Sequence, residues 1–445
     1  MRVPRLREIR SFMAEACRQM LERPLYSFGI TSYGLAVRLA AIRNEKAQKL
    51  SAGQKEIWNT LDSKIDKNAR YIWIHAASLG EFEQGRPLIE KLKKERPEYK
   101  IILTFFSPSG YEVRKNYELA DCVCYLPFDT PRRVRRFLYK VNPEIAIFVK
   151  YEFWRNYLEE LYRRQIPTYL ISAVFRKDQF FFKKRSAWYS YWLRWYTRFF
   201  VQNEESRRLL EGININNVDV FGDTRFDRVA DIRSKGREIP LLQRFTRRGE
   251  TGHVPVMMAG SSWPADEEVY AGWFDKHTDI KLVIAPHEFN PDRLRKLKSQ
   301  FGDKCVLLSE AEQEPSIVDD ARVLVLDCFG LLSSAYAYCD VAYVGGGFGA
   351  GLHNINEAAV YDVPVIYGPN NSKFIEAREM AEAGGGFPIA SQEDFNRIAD
   401  RLVLNNDVSA SQRRLAGQRA GDYIRSKLGA TDKIFNKIFG GSRSC

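Results

Sequence analysis

The stretch VAYVGGGFGAGLHNINEAAVYDVPVIYGPNNSKF, residues 341–374, decides the fold. Val341 to Val344 is a short apolar run and predicts a buried strand. Gly345, Gly346, Gly347, Gly349 and Gly351 follow, and residues without Cβ let a backbone approach a ligand closely. From Asn354 the spacing predicts a helix, with Ile355, Ala358 and Ala359 on one face and Asn354 capping the first turn. Strand, glycine loop and helix start together can hold an anion through backbone N–H groups. Asn356 and Glu357 would sit in that first turn. A second strand, 363–367, leads through Gly368-Pro369-Asn370-Asn371 to another helix, capped by Asn371 or Ser372. Two helix starts so close together predict a nucleotide-type ligand. Plain packing of a helix on a sheet is the competing reading, because the glycines are not spaced G-x-G-x-x-G.

Outward from this stretch the same grammar repeats. Apolar runs at 71–75, 100–106, 122–126, 145–149, 168–172 and 199–202 alternate with helical segments such as 84–94, 132–139 and 152–164. A second series lies at 254–259, 281–285, 304–308, 322–326, 341–344 and 363–367. Such alternation predicts an α/β protein with parallel sheets covered by helices on both faces. The charged segment 224–253 reads as an interdomain connection with some local helix. The expected division is therefore a tail and helix over 1–45, a first domain over 46–223, the connection, and a second domain over 254–445. Two doubly wound domains in tandem predict a cleft at the carboxyl ends of their strands.

The chain has 445 residues and a net charge of +12. Such an excess suits nucleic acid, an anionic membrane or phosphorylated substrates. Seven cysteines without a Cys-x-x-Cys argue against a disulfide framework or a zinc site, and for a reducing cytosol. Residues 25–42 carry the stripe Leu25, Phe28, Leu35, Leu39 and Ile42, with Arg38 as the lone charge. This predicts a helix lying on a membrane surface with Arg38 reaching the headgroups, or else an amphipathic helix packed on the first domain. Upstream, residues 1–19 read as a dispensable extension. The segment 175–200 interleaves Arg176, Lys177, Lys183, Lys184 and Arg185 with aromatic rings. It fits a membrane interface, single-stranded nucleic acid, or a helix with a buried aromatic face.

Acids at strand ends are the candidates for chemistry. Glu81, in Ser78-Leu79-Gly80-Glu81, follows the first strand and could serve as general base or simply occupy a helix start. Glu152 follows strand 145–149 and could converge on it, or simply begin helix 152–164. In the second domain Ser261 and Ser262 sit between a strand and an acidic helix and predict another anion cradle. His287 ends the next strand. No Asp-x-Asp occurs, which speaks against a metal-bridged nucleotide diphosphate.

Taken together, Ser78-x-Gly80-Glu81-Phe82, Glu152-Phe153-Trp154, Gly222-Asp223-Thr224-Arg225-Phe226-Asp227, Ala259-Gly260-Ser261-Ser262 and the run from Gly345 through Glu357 with Gly368-Pro369 resemble the Kdo (3-deoxy-D-manno-octulosonic acid) transferases. The likeness begins near Leu25 and keeps the family's order. It implies a GT-B fold of two Rossmann-like domains, CMP-Kdo as donor, and a lipid A precursor as acceptor at the cytoplasmic face of the inner membrane. It implies Glu81 as the catalytic base, and places His353, Asn354 and Glu357 in the donor domain with Gly346, Gly347, Gly349 and Asn356. No cofactor, metal or nucleic acid enters this reading. Two motifs depart from the family: Lys150-Tyr151-Glu152-Phe153-Trp154-Arg155 stands for Glu-Leu-Trp-Pro, and Pro286-His287-Glu288 lacks the usual arginine. A different GT-B enzyme, or a non-catalytic basic protein binding membrane or nucleic acid, are the competing classes. The second would leave the glycine loops without a ligand.

Overall fold

A computed structural model describes residues 6–183, 187–246, 254–349 and 351–440. The chain divides into two compact units, one up to Arg228 and again from Gly429, the other from Val229 to Leu428. Each is a Rossmann-like layer of parallel strands and helices.

In the first unit the strands are β1 (Arg70–Ala76), β2 (Tyr99–Phe105), β3 (Cys122–Tyr125), β4 (Ile145–Val149), β5 (Thr168–Ala173), β6 (Arg198–Val201) and β7 (Val218–Val220). Their order is β3-β2-β1-β4-β5-β6-β7, all parallel. Every residue of β1 from Tyr71 to Ala76 is buried. Burial on both faces is what a sheet sandwiched between helices requires, and it explains why apolar runs rather than alternation marked the strands. The second unit has β8 (Val256–Ser262), β9 (Lys281–Pro286), β10 (Cys305–Leu307), β11 (Val323–Val325), β12 (Val341–Val344), β13 (Val365–Tyr367) and β14 (Gly386–Pro388), ordered β10-β11-β9-β8-β12-β13-β14. The strand order reverses between β1 and β4 in one sheet and between β8 and β12 in the other. These are the points where α/β sheets open a crevice.

All twelve predicted strands are present. β7 and β14 went unpredicted because three-residue edge strands, one with Asp219 and one ending in Pro388, carry no periodic signal. The local helix expected within the connection over 224–253 is there as Thr224–Lys235 and Pro240–Phe245. The end of the chain, by contrast, leaves the expected second domain. Helix Ala430–Phe439 returns to the first unit, where Ile434, Phe435 and Phe439 join Ile72, Phe82 and Leu88 in one core. Its start is tied by Asp227, whose carboxylate accepts from Gly429 N (2.7 Å), Thr431 N (2.7 Å) and Thr431 Oγ1 (2.6 Å).

The N-terminal helix runs unbroken from Leu6 to Ala40 through Pro24. One side packs on the first unit. Val37 is buried, Tyr26 donates to Asp129 (2.8 Å), and Glu22 pairs with Arg155 (3.2 Å), both of these last being buried. The five residues of the predicted stripe face away, from 58% exposed at Leu35 to 79% at Ile42. The helix is therefore both packed and apolar outside. Among the described residues no helix is long and apolar enough to cross a membrane. Segment 175–200 is not one helix but two short 3-10 stretches, Phe180–Phe182 and Ala187–Trp195, and Phe175, Phe181, Trp192, Leu193 and Tyr196 are core residues. Its rings are thus largely structural. Arg176, Lys177 and Lys183 are exposed, and Lys184 and Arg185 lie outside the described residues.

Asp227→Ala should cost the first unit about 2 kcal/mol, since hydrogen bonds to a charged group are worth roughly 1.5–3 kcal/mol each and a cap about 1. Urea unfolding and proteolysis of the C-terminal helix read this out. An unchanged midpoint with an equally protected helix would contradict it.

Candidate active site

At the end of β1 the chain turns at Ser78 into helix Leu79–Glu95. Ser78 N and Ser78 Oγ both donate to Glu81 Oε2 at 2.8 Å. The capping reading of Glu81 is therefore correct as geometry, and it does not compete with the chemical one. Both bonds fall on Oε2, and among the described residues Oε1 is left for a proton. Burial pushes the Glu81 carboxyl above the usual range, and the neighbouring charge of Glu152 adds to the rise. The Ser78 bond, Lys150 and His75 oppose it. A carboxyl raised in this way is a better proton acceptor than a free one near neutral pH. Gly80, just before it, is exposed, and a Cβ there would meet nothing within 4 Å.

Glu152 comes from the loop after β4, next across the sheet. The helix expected to begin with it starts at Arg155. The loop turns on Lys150, a non-glycine residue at φ +73, and strain of this kind gathers where a site fixes the backbone. Glu152 is only 4% exposed. Its Oε2 lies 2.9 Å from His75 Nε2 and accepts from Trp154 Nε1, and its carbonyl accepts from Tyr196 OH. Helix Leu79–Glu95 is braced from behind by the motif at 222–227. Gln84 Nε2 donates to Asp223 Oδ2 (3.0 Å), as do Gln202 Nε2 and Arg225 Nε, while Thr224 Oγ1 donates to the Gln84 carbonyl. The two predicted acids thus do converge within the first unit. Arg176 reaches the Tyr151 hydroxyl (2.9 Å), one residue before Glu152.

In the second unit the loops after β8 and β12 meet. Gly345 N donates to Gly260 O (2.9 Å), and Gly346, at φ +88, donates to the buried Asp266 Oδ2 (2.9 Å). Gly349 and Gly351 N–H both bond Gly346 O. The loop therefore does not offer these N–H groups to an anion, because an acid from the following helix and the loop's own carbonyl take them. Its glycines are needed for approach: a Cβ on Gly347 would lie 2.6 Å from the Gly368 backbone. The helix expected from Asn354 is a single turn, Asn356–Ala359, and the next starts at Ile375, beyond Asn371 and Ser372. Ser262 also corrects the reading. Its hydroxyl is buried and bonds Glu267 Oε1 (3.1 Å) and Tyr270 OH (3.0 Å), so it faces inward, whereas Ser261, at φ +52, is only partly buried.

Other predicted residues gather here. His287 stacks on Trp263 (4.4 Å between rings) and lies 4.6 Å from His353, whose Nε2 accepts from Trp263 Nε1 (3.3 Å). Burial, then the nearby His287, pull the His353 imidazole down to about 4. Glu357 is held by Asn354 Nδ2 (3.0 Å) and Ser333 Oγ (2.5 Å). Asn356 is wholly buried, and its side-chain amide makes no hydrogen bond among the described residues. A buried amide in that condition is a group a ligand can satisfy. His75, Thr104, Ser333 and Asp266 were missed in the sequence. Only His75 had a signal, as a polar residue closing an otherwise apolar strand.

Residues 42–228 match the family described as 3-deoxy-D-manno-octulosonic-acid transferase (kdotransferase). The chain is 27% identical over 349 residues to the 3-deoxy-D-manno-octulosonic acid transferase of Aquifex aeolicus, covering 77% of this chain and 89% of that one. It is 26% identical over 383 residues to the enzyme of the same name from Haemophilus influenzae, covering 82% and 86%. Among solved structures, the UDP-GlcNAc 2-epimerase of Neisseria meningitidis superposes with a TM-score of 0.54 at 13% identity, over 80% of this chain and 99% of that one. MurG of Acinetobacter baumannii gives 0.51 at 11%, over 83% and 99%. These two show the GT-B fold alone. These sequence matches are all to Kdo transferases and support a glycosyltransferase of lipopolysaccharide core synthesis.

Because the folded His353 sits below the free value near 6.5, its contribution to stability is full above that value and is lost as pH falls toward about 4. His353→Gln should flatten the melting temperature of the second unit across this window. An identical pH dependence in both proteins would contradict the neutral, buried ring.

Proposed function

We propose that this chain moves Kdo from CMP-Kdo onto a lipid A precursor, lipid IVA, with inversion at the anomeric carbon. The observation that carries the proposal is the Glu81 carboxylate at the end of β1, bonded through Oε2 to Ser78 and through Oε1 to nothing among the described residues, with a second acid, Glu152, held in place on the neighbouring loop. Glu81 takes the proton from a sugar hydroxyl of the acceptor. The oxygen freed of it forms the new bond to the anomeric carbon as the bond to the CMP phosphate breaks. One base and one displacement give inversion.

Support for the donor lies in the second unit. The unpaired amide of Asn356, the carboxylate of Glu357 fixed by Ser333 and Asn354, and the neutral His353 beside the Trp263–His287 stack are groups suited to ribose hydroxyls and a planar base. Support for work at the cytoplasmic face of an anionic inner membrane is the outward stripe of the N-terminal helix, with exposed Arg176, Lys177 and Lys183 as basic residues of the same unit. An apolar stripe and basic residues together hold a surface better than either alone.

Glu81→Gln tests the chemistry. Mass spectrometry of the lipid product should show transfer reduced about 10²–10⁴-fold, with CMP affinity kept. Near wild-type transfer would contradict the base. Leu35→Gln with Leu39→Gln tests the surface. Each leucine buried in an apolar phase is worth roughly 1.5–3 kcal/mol, so partition onto anionic liposomes should fall on the order of 100-fold with melting unchanged. Unaltered partition would remove the helix from the membrane account.

A further inference from the structure

The N-terminal helix does more in the first unit than turn an apolar stripe outward. Its Tyr33 begins a row of rings that ends at the acids. Tyr33 stacks on Phe106 (6.2 Å between rings, 23° between planes) and meets Phe128 edge-on at 5.9 Å. Phe106 lies 4.8 Å from Trp154, and Trp154 Nε1 donates to Glu152 Oε2. Phe106 is also tied to the loop of the other acid. Its N–H and that of Ser107 both donate to Ala77 O (3.2 and 2.7 Å), one residue before the Ser78 that holds Glu81. The inner end of the row is thus joined to both segments that carry the acids.

These rings are not closed core. Tyr33 is 45% exposed and its hydroxyl bonds nothing among the described residues, while Phe106 and Trp154 are only partly buried. Part-open aromatic faces beside a few fixed polar groups are how ligand sites are lined, and the C–H face of a pyranose packs well on a ring. Cations adjoin the row. Arg133, in helix Pro131–Val141, lies over the Phe128 ring (5.6 Å) and donates to the neutral Gln54 Oε1 (2.9 Å). Burial, and after it the charge of Arg38, pull its guanidinium below the usual range, with Tyr157 opposing and Arg136 adding to the fall. Arg38 and Arg136 are exposed. None of the three pairs with an acid among the described residues. Cations gathered without a counter-charge favour an anion.

We infer, resting on the proposed transfer to a lipid A precursor, that Tyr33, Phe106 and Trp154 form the acceptor site for an anionic glycolipid. Its sugar lies on the rings, its phosphate at Arg38, Arg133 and Arg136, and its acyl chains along the outward stripe that shares a helix with Tyr33. The N-terminal helix then serves the substrate as well as the membrane. Tyrosine and tryptophan settle at headgroup level, so a row of rings there brings the sugar to the acids while the chains stay in the apolar phase.

Kinetics of the full chain in micelles of a neutral detergent, with lipid IVA at fixed mole fractions, take membrane partition out of the readout. Tyr33→Ala should raise KM for lipid IVA about 10-fold, the loss of one ring contact, with kcat and KM for CMP-Kdo held within about twofold. Tyr33→Phe keeps the ring and should stay near the unmodified protein. Phe106→Leu should resemble Tyr33→Ala. Arg38→Gln with Arg136→Gln should raise the same KM about 10-fold. On lipid IVA stripped of phosphate by a phosphatase that arginine effect should vanish, while Tyr33→Ala still weakens the acceptor. A lower kcat with KM for lipid IVA unmoved in Tyr33→Ala would overturn the site and leave Tyr33 a packing residue. Should that variant not fold, an unmoved KM in Phe106→Leu would overturn it equally. An arginine effect that survives removal of the phosphate would overturn the placing of the anion. Unmodified protein that transfers no Kdo sinks the function and the site together, whereas active protein with unmoved ring variants sinks the site alone.

Discussion

Side-by-side pairing of β1 with β4, His75 against Phe148, is what the chemistry of the first unit rests on. The strands run in parallel, so the segments that leave them emerge at the same edge of the sheet. β1 continues toward β2 on one side and β4 toward β5 on the other. Both crossovers obey the same right-handed rule, so their helices go to opposite faces and a crevice opens between. Glu81 and Glu152 are the acids that this reversal brings together. The second unit repeats the arrangement at β8 and β12, where Gly260 pairs with Val344 and the two loops bond each other.

Polar groups in these crevices are held rather than solvated. Glu152 is nearly inaccessible and would be costly there alone, but the Trp154 N–H and the hydrogen bond with the His75 ring on one oxygen offset much of that cost. In the second unit Asp266 is equally buried and accepts from Tyr343 OH, Trp263 N and Gly346 N. Backbone strain sits in the same places: Lys150, Ser172 and Ser261 all have positive φ at the ends of β4, β5 and β8. These conformations persist because the packed strand on one side and a hydrogen-bonded loop on the other leave them no relaxed alternative. Rigid carboxylates follow from this, and a base held still next to a fixed charge loses little to reorganisation when it takes a proton.

Strands were legible in the sequence because their burial on both faces writes them as unbroken apolar runs, and Glu81 and Glu152 were legible because each follows one. The partners of those acids were not. His75 reads as the last residue of a strand, and Thr104 as one more β-branched residue in another; only the register of β1 on β2 sets them opposite each other. The glycine loop reads in the sequence as backbone open to a ligand, whereas its glycines serve a close approach of two backbones and several of its N–H groups are already taken. Sequence spacing cannot show that Asp266, eighty residues earlier, claims Gly346. The final helix was assigned to the wrong unit for a similar reason: an apolar face says that it must be covered, not by what.

The central claim is a single displacement driven by one base. The configuration of the transferred sugar reports it most directly, by proton and carbon NMR of the lipid product made by the unmodified protein from CMP-Kdo. The account predicts a Kdo linkage inverted at the anomeric carbon relative to the donor. A retained configuration would require two successive displacements or front-face attack, and would contradict Glu81 as the sole base of a one-step transfer.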